Sequence, residues 1–459
     1  MDKRVHLPLA HENPRASSIA ADGRRQFVYP ADVAGRFTTV RRVVFFVLIA
    51  FWVALPLVQL NGRPLVLLDV MKRQFFLFGA TFNAQDAWLA FFLITGIGFG
   101  LALMTSLAGR VFCGFACPQT VFLEAVFRPI ERLIEGPREK RMRRDKGPMT
   151  IDKLARKVAK HALFLLAAFM IAHIVLSFFV PVPQTLRMVT QSPAEHPEAF
   201  AWAASVTLVL YGNFAWFREQ VCLVVCPYGR LQASLVDDDT LVVGYDEKRG
   251  EPRGKVGAAG SGDCVDCKRC VVVCPTGIDI RNGLQLDCVG CTACIDACDE
   301  VMVKLHRPKG LVRYDSKRSL AGGVRRILRP RLIVYAVLGL LGLTVATIAA
   351  RSRTSFEANL TRATGAPFVV EQDTVRNSFL LHLVNKASSP ADYEISVSGV
   401  ELASDAGPVH LEGLSDTKLP IVVSVPLSGR GSDEWTLLVR ALPDGDTRTV
   451  KAKLVRPNR

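Results

Sequence analysis

Eight cysteines fall in two copies of one spacing: Cys264-x2-Cys267-x2-Cys270-x3-Cys274-Pro275 and Cys288-x2-Cys291-x2-Cys294-x3-Cys298. Three cysteines at i, i+3 and i+6 on a tight loop can each reach a different iron of one 4Fe-4S cubane. The fourth, four positions further on, has left that loop and points to a second cubane. The spacing therefore assigns Cys264, Cys267, Cys270 and Cys298 to one cluster, and Cys288, Cys291, Cys294 and Cys274 to the other. Structural zinc is the competing use of such residues. Zinc ribbons employ separated Cys-x2-Cys pairs, four thiolates to one tetrahedral ion, and two triplets with an outlying fourth fit that poorly. Gly277 and Gly283 suit the tight turns of the short spacer between the two copies.

The other four cysteines form a second repeat, Cys113-Gly-Phe-Ala-Cys117-Pro118 and Cys222-Leu-Val-Val-Cys226-Pro227. Each follows an apolar run, which suggests duplication of a two-helix unit. On a helix, i and i+4 share a face, so each pair would present two sulfurs about one turn apart, and the proline would disturb the helix beyond them. Four converging thiolates would favour Cu(I), zinc or an iron–sulfur centre; Met104, His161 and His173 lie near enough in the chain to add ligands. The alternative is that these cysteines pack as small apolar side chains.

Five apolar runs free of Asp, Glu, Lys and Arg must position these motifs: Val43–Leu60, Ala87–Ala108, Ala162–Val180, Ala199–Phe217 and Leu332–Ala350. Each is close to the roughly 20 residues that a helix needs to cross a bilayer. Half the 459 residues are apolar, and the net charge is +15. Residues 351–459 carry 13 basic and 13 acidic residues, so the whole excess lies beside the apolar runs. That placement reads as a topology signal rather than a nucleic-acid face, and no nucleic-acid partner is expected. Residues 1–42 hold eight Lys/Arg and 109–160 hold 13, against three in 61–86 and one in 181–198. The positive-inside rule then puts the N-terminus, 109–161 and 218–331 in the cytoplasm, and five crossings send the C-terminal segment to the other side, the periplasm in a bacterium.

The expected organisation is a flexible cytoplasmic tail (1–42), a four-helix membrane region (43–217) with the cytoplasmic loop 109–161, and a cytoplasmic segment (218–331). The last contains a two-cluster, ferredoxin-like α+β insert at about 255–305. A fifth transmembrane helix (332–350) and a domain at 351–459 follow. All twelve cysteines lie between Cys113 and Cys298, a distribution that fits ligands kept reduced rather than an exported disulfide framework. In the last segment, Val375–Val384, Tyr393–Val397, Ile421–Val425, Thr436–Val439 and Thr447–Val455 read as short strands separated by Gly, Pro, Asp and Ser. An all-β sandwich of immunoglobulin type is expected, without a catalytic constellation.

This order of elements resembles the FixG/RdxA/CcoG family, accessory proteins for cbb3-type cytochrome c oxidase, along nearly the whole chain. The run from Cys291 to Met302 is especially similar, including Asp299 after the last cysteine, where small ferredoxins usually have Pro. The resemblance implies a multi-pass protein of the bacterial inner membrane, with 4Fe-4S electron transfer serving reduction of Cu(II) to Cu(I) during oxidase assembly. It makes Cys113, Cys117, Cys222 and Cys226 candidate copper ligands. The implied partners are the membrane, copper ions, the oxidase assembly machinery or a copper chaperone, and an unidentified cytoplasmic electron donor. Two other readings stand beside it: a quinol-linked relay resembling the NapH and NosR type, and a non-enzymatic assembly scaffold. No nicotinamide or flavin fingerprint is present, because Gly96-Ile-Gly98-Phe-Gly100 lies inside an apolar run.

Overall fold

The apolar runs fold as helices because, without water, a backbone must satisfy its own hydrogen bonds. The computed structural model describes residues 27–60, 62–71, 74–83, 86, 88–257, 259–351, 354–371, 373–387, 389–403, 407–427, 434–442 and 445–456; the first 26 residues of the expected tail lie outside these. Among the described residues six helices, not five, are long and apolar enough to cross a membrane. Five correspond to the expected runs: Arg36–Leu57, Trp88–Ala108, Ile151–Leu176, Pro197–Phe217 and Pro330–Ala349. The sixth, Val111–Glu135, lies within the stretch expected to be a loop. Sequence reading passed over it because Glu124 and Arg128 interrupt its apolar character. It is also not one regular helix. Short α segments Val111–Phe115, Pro118–Phe122 and Arg128–Glu135 are joined in part by a π turn at Leu123–Phe127.

The described residues form two compact units, one of those up to 67 with 92–344 and one of those in 68–91 and from 345 on. In the first, Phe127, Phe164 and Phe214 bring the sixth helix together with the third and fourth expected spans; Phe127 stacks on Phe214 at 4.2 Å and meets Phe164 edge-on at 5.0 Å. The cluster-motif segment is framed by an antiparallel pair, Leu241–Tyr245 with Val312–Ser316, and by the helix Ala293–Lys304. Its apolar centre is Val243, Ile280, Ile295, Met302 and Leu311, with cysteines among them.

The second unit is a sandwich of two antiparallel sheets. One is ordered Glu401–Leu402, Asp416–Pro426, Thr374–Asn385, Phe356–Arg362, with Val369–Glu371 also on the third strand; the other is ordered Val409–Leu411, Ala391–Ser398, Glu434–Leu442, Thr447–Lys453. All five expected strands are present. Phe379, Leu381 and Leu383 point inward at period two, as the pleat requires, against Tyr393, Trp435 and Leu437. The short strands Val369–Glu371, Glu401–Leu402 and Val409–Leu411 were not legible, since two or three residues carry too little pattern. The segment between the first two spans joins this unit. Gln74 Nε2 donates to the Leu414 carbonyl at 3.0 Å, and buried Lys386 pairs with buried Asp86 at 3.0 Å and with Glu357 at 2.9 Å.

Candidate iron–sulfur site

The two cysteine-rich loops close around two cavities. Cys264, Cys267, Cys270 and Cys298 line one, with Tyr245, Arg281 and Met302. Cys274, Cys288, Cys291 and Cys294 line the other, which Cys270 also borders. The fourth cysteine of each run thus stands at the other run's cavity. Cys274 leaves its loop beside Pro275, whereas Cys298 is carried over by the helix Ala293–Lys304.

Backbone conformation builds the loops. Asp266 and Lys268, either side of Cys267, and Thr292, after Cys291, take left-handed φ of 50°, 54° and 61°. Such angles are costly outside glycine and here wrap the chain around the space. Gly277 and Gly283 also adopt positive φ, 76° and 85°, at the turns of the spacer. Arg281 is buried and ties Asp266 at 2.5 Å to Asp279 at 2.6 Å, locking the first loop to the spacer. Arg307 donates to the carbonyls of Gly262 and Asp263.

Burial pushes the thiols of Cys270, Cys291 and Cys298 up to about 12 and that of Cys288 to about 11. Cationic iron bound there would displace these protons. This donor set of eight soft ligands, four to each cavity, fits two 4Fe-4S clusters. Among the described residues no three His, Cys, Asp or Glu side chains converge tightly enough to hold a single metal ion. Ligands spread around a four-iron cube need not.

The second cysteine repeat lies against this site. Each element repeats one backbone device: the N–H of Cys117 donates to the Phe112 carbonyl and that of Cys226 to the Val221 carbonyl, five residues back, both at 2.8 Å. Cys117 and Cys226 are extended, and the prolines after them begin the next helices. The expectation of two sulfurs on one continuous helical face is corrected accordingly, since proline fits a helix's first turn and not its interior. The elements interlock. Gln119 and Asn213 exchange amide hydrogen bonds at 2.8 and 3.2 Å, the Cys113 thiol donates to Gln232 at 3.3 Å, and Arg110 reaches the Gly229 carbonyl at 2.6 Å.

Cys222 feels Cys117, Cys113 and Cys226 as neighbours; burial first, then these thiols, push it up to about 12. Cys113 and Cys222 pack against the buried cluster of Val273, Val289, Cys291, Ala293 and Ala297, of which Val289 and Cys291 line the second cavity. At Gly114 a Cβ would collide with the carbonyl of Gly290, the residue before Cys291. His161 and His173 are engaged elsewhere, with the Tyr211 hydroxyl at 3.0 Å and the Phe169 carbonyl at 2.8 Å.

What sequence reading missed is the charged shell that joins this site to the spans. Glu131 receives both terminal nitrogens of Arg218 at 3.1 Å and Arg141 at 3.0 Å, all buried. Glu124 pairs with Arg41 at 3.4 Å and with Arg128. Arg41 in turn donates to the Cys291 carbonyl at 3.2 Å, and Arg128 to that of Pro275 at 3.3 Å. Charges inside an otherwise apolar helix were the one available signal.

Comparison with known proteins agrees with this architecture. Residues 217–317 match the family described as "4Fe-4S dicluster domain", 89–137 match "4Fe-4S binding domain", and 346–457 match "IG-like fold at C-terminal of FixG". Over 429 residues the chain is 34% identical to "Nitrogen fixation protein FixG" of Rhizobium meliloti, covering 83% of this chain and 81% of that one. It is 35% identical over 388 residues to "Protein RdxA" of Cereibacter sphaeroides, covering 81% and 82%. It is 34% identical over 436 residues to "Protein RdxB" of the same organism, covering 90% and 89%.

Proposed function

This chain belongs to the FixG/RdxA family of membrane iron–sulfur electron-transfer proteins, and from that premise we propose that it delivers electrons to copper, reducing Cu(II) to Cu(I) for assembly of a cbb3-type oxidase. Cys264, Cys267, Cys270 and Cys298 hold one 4Fe-4S cluster, and Cys274, Cys288, Cys291 and Cys294 the other. Bound there, the clusters supply single electrons at low potential. Cys113, Cys117, Cys222 and Cys226 receive copper as substrate, and soft thiolates favour the Cu(I) product. The observation that carries this reading is the packing of Cys113 and Cys222 against the buried cluster that contains the cavity residues Val289 and Cys291.

The proposed orientation keeps the cluster segment cytoplasmic and the sandwich periplasmic, in the bacterial inner membrane. The buried Asp86–Lys386 pair supports it. These residues must share a side, so an even number of crossings separates them. The four helices Trp88–Ala108, Ile151–Leu176, Pro197–Phe217 and Pro330–Ala349 satisfy that if Val111–Glu135, with its buried charges, turns back without crossing.

The test is Cu(II) reduction by anaerobically purified full-length protein after dithionite treatment. Replacing Cys113, Cys117, Cys222 and Cys226 together by Ser is expected to abolish it while iron content stays unchanged. Intact Cu(II) reduction in that variant ends the copper proposal. Cys267→Ser and Cys291→Ser are each expected to remove one of two EPR signals. Loss of oxidase assembly in these variants, at normal abundance in the membrane, would count against a scaffold role.

A further inference from the structure

Of the twelve cysteines, Cys267 alone is exposed. It lines the first cavity, where its three partners are buried or half-buried. Asp266 and Lys268 on either side of it are exposed as well. Cys270 borders both cavities. The second is lined by Val289 and Cys291, members of the buried cluster that Cys113 and Cys222 pack against. The site is therefore polarised: one end opens to water at Cys267, and the other meets the cysteines that follow the spans. Electron transfer weakens steeply with distance, so a soluble carrier makes its closest approach to the iron at the exposed ligand.

The charges around this opening select the carrier. Among the described residues no carboxylate lines the first cavity, whereas Lys268, Arg269 and Arg281 do. The nearby carboxylates are already matched. Asp266 and Asp279 pair with Arg281, Glu251 with Arg253, Asp263 with Arg249, and Glu300 with Lys304. Asp299 accepts from the Gly310 N–H. Lys255, Lys268 and Lys309 are exposed, and no described carboxylate pairs with them.

Three separate loops bring these lysines to the same cysteines. Lys268 follows Cys267 directly. Lys255 follows Gly254, whose N–H donates to the Cys264 carbonyl at 3.2 Å. Arg249 donates to the Lys309 carbonyl at 3.1 Å and to Asp263, the residue before Cys264, at 2.8 Å. The lysines leave an unmatched positive rim around an exposed ligand, which fits a negatively charged partner.

We propose that this opening is the docking surface for an acidic one-electron carrier protein, and that electrons enter the chain there, past Cys267. The inference names the chemistry of the donor and its site, and it rests on the iron–sulfur assignment alone. The step is a single-electron transfer. The reduced carrier loses one electron, the oxidised iron–sulfur centre of the first cavity gains it, and no bond or proton changes place. Complementary charge acts chiefly on the rate of encounter.

The test uses full-length protein with its clusters, in lipid nanodiscs and without copper. The probe is an acidic plant-type 2Fe-2S ferredoxin, reduced beforehand and freed of excess reductant. Carbodiimide, which joins carboxylates to lysines in contact, is expected to link it to Lys255, Lys268 or Lys309, as read by mass spectrometry. Combining Lys255→Glu, Lys268→Glu and Lys309→Glu is expected to slow reduction of the centres by about tenfold or more at low salt. That gap should close near about 1 M salt, where the screening length is about 3 Å. Arginine at the same positions should keep the wild-type rate. Iron content and the EPR of dithionite-treated protein should match wild type in both variants, as expected for exposed side chains. Missing iron in the wild type would defeat the iron–sulfur assignment itself. In fully loaded protein, cross-links on other faces, or a reduction rate indifferent to charge reversal and to salt, would overturn the docking surface.

Discussion

The carboxylate of Asp296 accepts three hydrogen bonds at the start of the first span: from the Thr38 N–H at 2.7 Å, the Thr38 hydroxyl at 2.7 Å and the Phe37 N–H at 3.2 Å. Asp296 lies between Cys294 and Cys298. A side chain of the cluster segment is thus the N-terminal cap of a membrane helix 258 residues earlier in the chain, and its charge also complements that helix's positive end.

Asp296→Ala is therefore expected to weaken the joint between cluster segment and membrane region by about 1 kcal/mol, as loss of an N-cap does. The midpoint for heat-induced loss of iron–sulfur absorbance should fall by roughly 2–4 °C, with Asp296→Asn losing less because it keeps an acceptor. Gly35→Ala should act in the same direction, because its Cβ would overlap the Asp296 side chain. An unshifted midpoint in both Ala variants would show that the cap contributes nothing.

Glu131 sits where two buried cations, Arg218 and Arg141, need it. Glu131→Gln leaves Arg218 and Arg141 buried with a neutral partner, and breaking a buried pair in this way costs roughly 3–5 kcal/mol. Against a total stability of about 5–15 kcal/mol for a domain, the variant should accumulate poorly in membranes. Quantitative immunoblotting of membrane fractions checks this, with Glu124→Gln, at the more exposed carboxylate, expected to accumulate better.

Gly114→Ala tests the seam between the two cysteine sets. Its Cβ would collide with the Gly290 carbonyl, so the element carrying Cys113 must move away from the second cavity while all eight cluster cysteines stay in place. Iron content should be unchanged and Cu(II) reduction should slow on the order of tenfold to a hundredfold, the scale set by ångström misplacement. Equal loss of iron and activity would instead make Gly114 a folding residue.

Asp239 anchors the arginine-rich segment that leads into the last span. It accepts from Arg318 at 2.7 and 3.0 Å and from the Arg326 N–H at 2.9 Å. The Arg318 hydrogen bonds hold its carboxyl below the usual carboxylate range. The stabilisation is therefore complete above the unfolded value near 4 and disappears as pH falls through the lower folded value. Asp239→Asn should mimic the acid state at neutral pH, exposing the chain at Arg325 and Arg326 to trypsin. Wild-type protein is expected to resist cleavage there from pH 8 to 6.

Much of the architecture was legible because it rests on local pattern. Apolar runs of bilayer length, period-two alternation in Val375–Val384 and cysteines spaced for cubane ligation are each written within a few dozen residues. Val111–Glu135 escaped that reading because its charges are satisfied by residues far away, Glu124 by Arg41 and Glu131 by Arg218. Sequence alone shows such charges as interruptions; only the folded chain supplies their partners.

By itself, the sequence determined which cysteines have the spacing of iron–sulfur ligands, which segments are apolar enough to enter a bilayer and which fold as strands, since these depend on side-chain type and spacing. Tertiary structure decided that Cys113 and Cys222 abut the second cavity, that Asp296 caps the first span, and that residues 68–91 join the C-terminal sandwich. Each of these joins positions fifty or more residues apart. Their adjacency is set by how the helices and sheets bury their faces, a property that no local window of sequence contains.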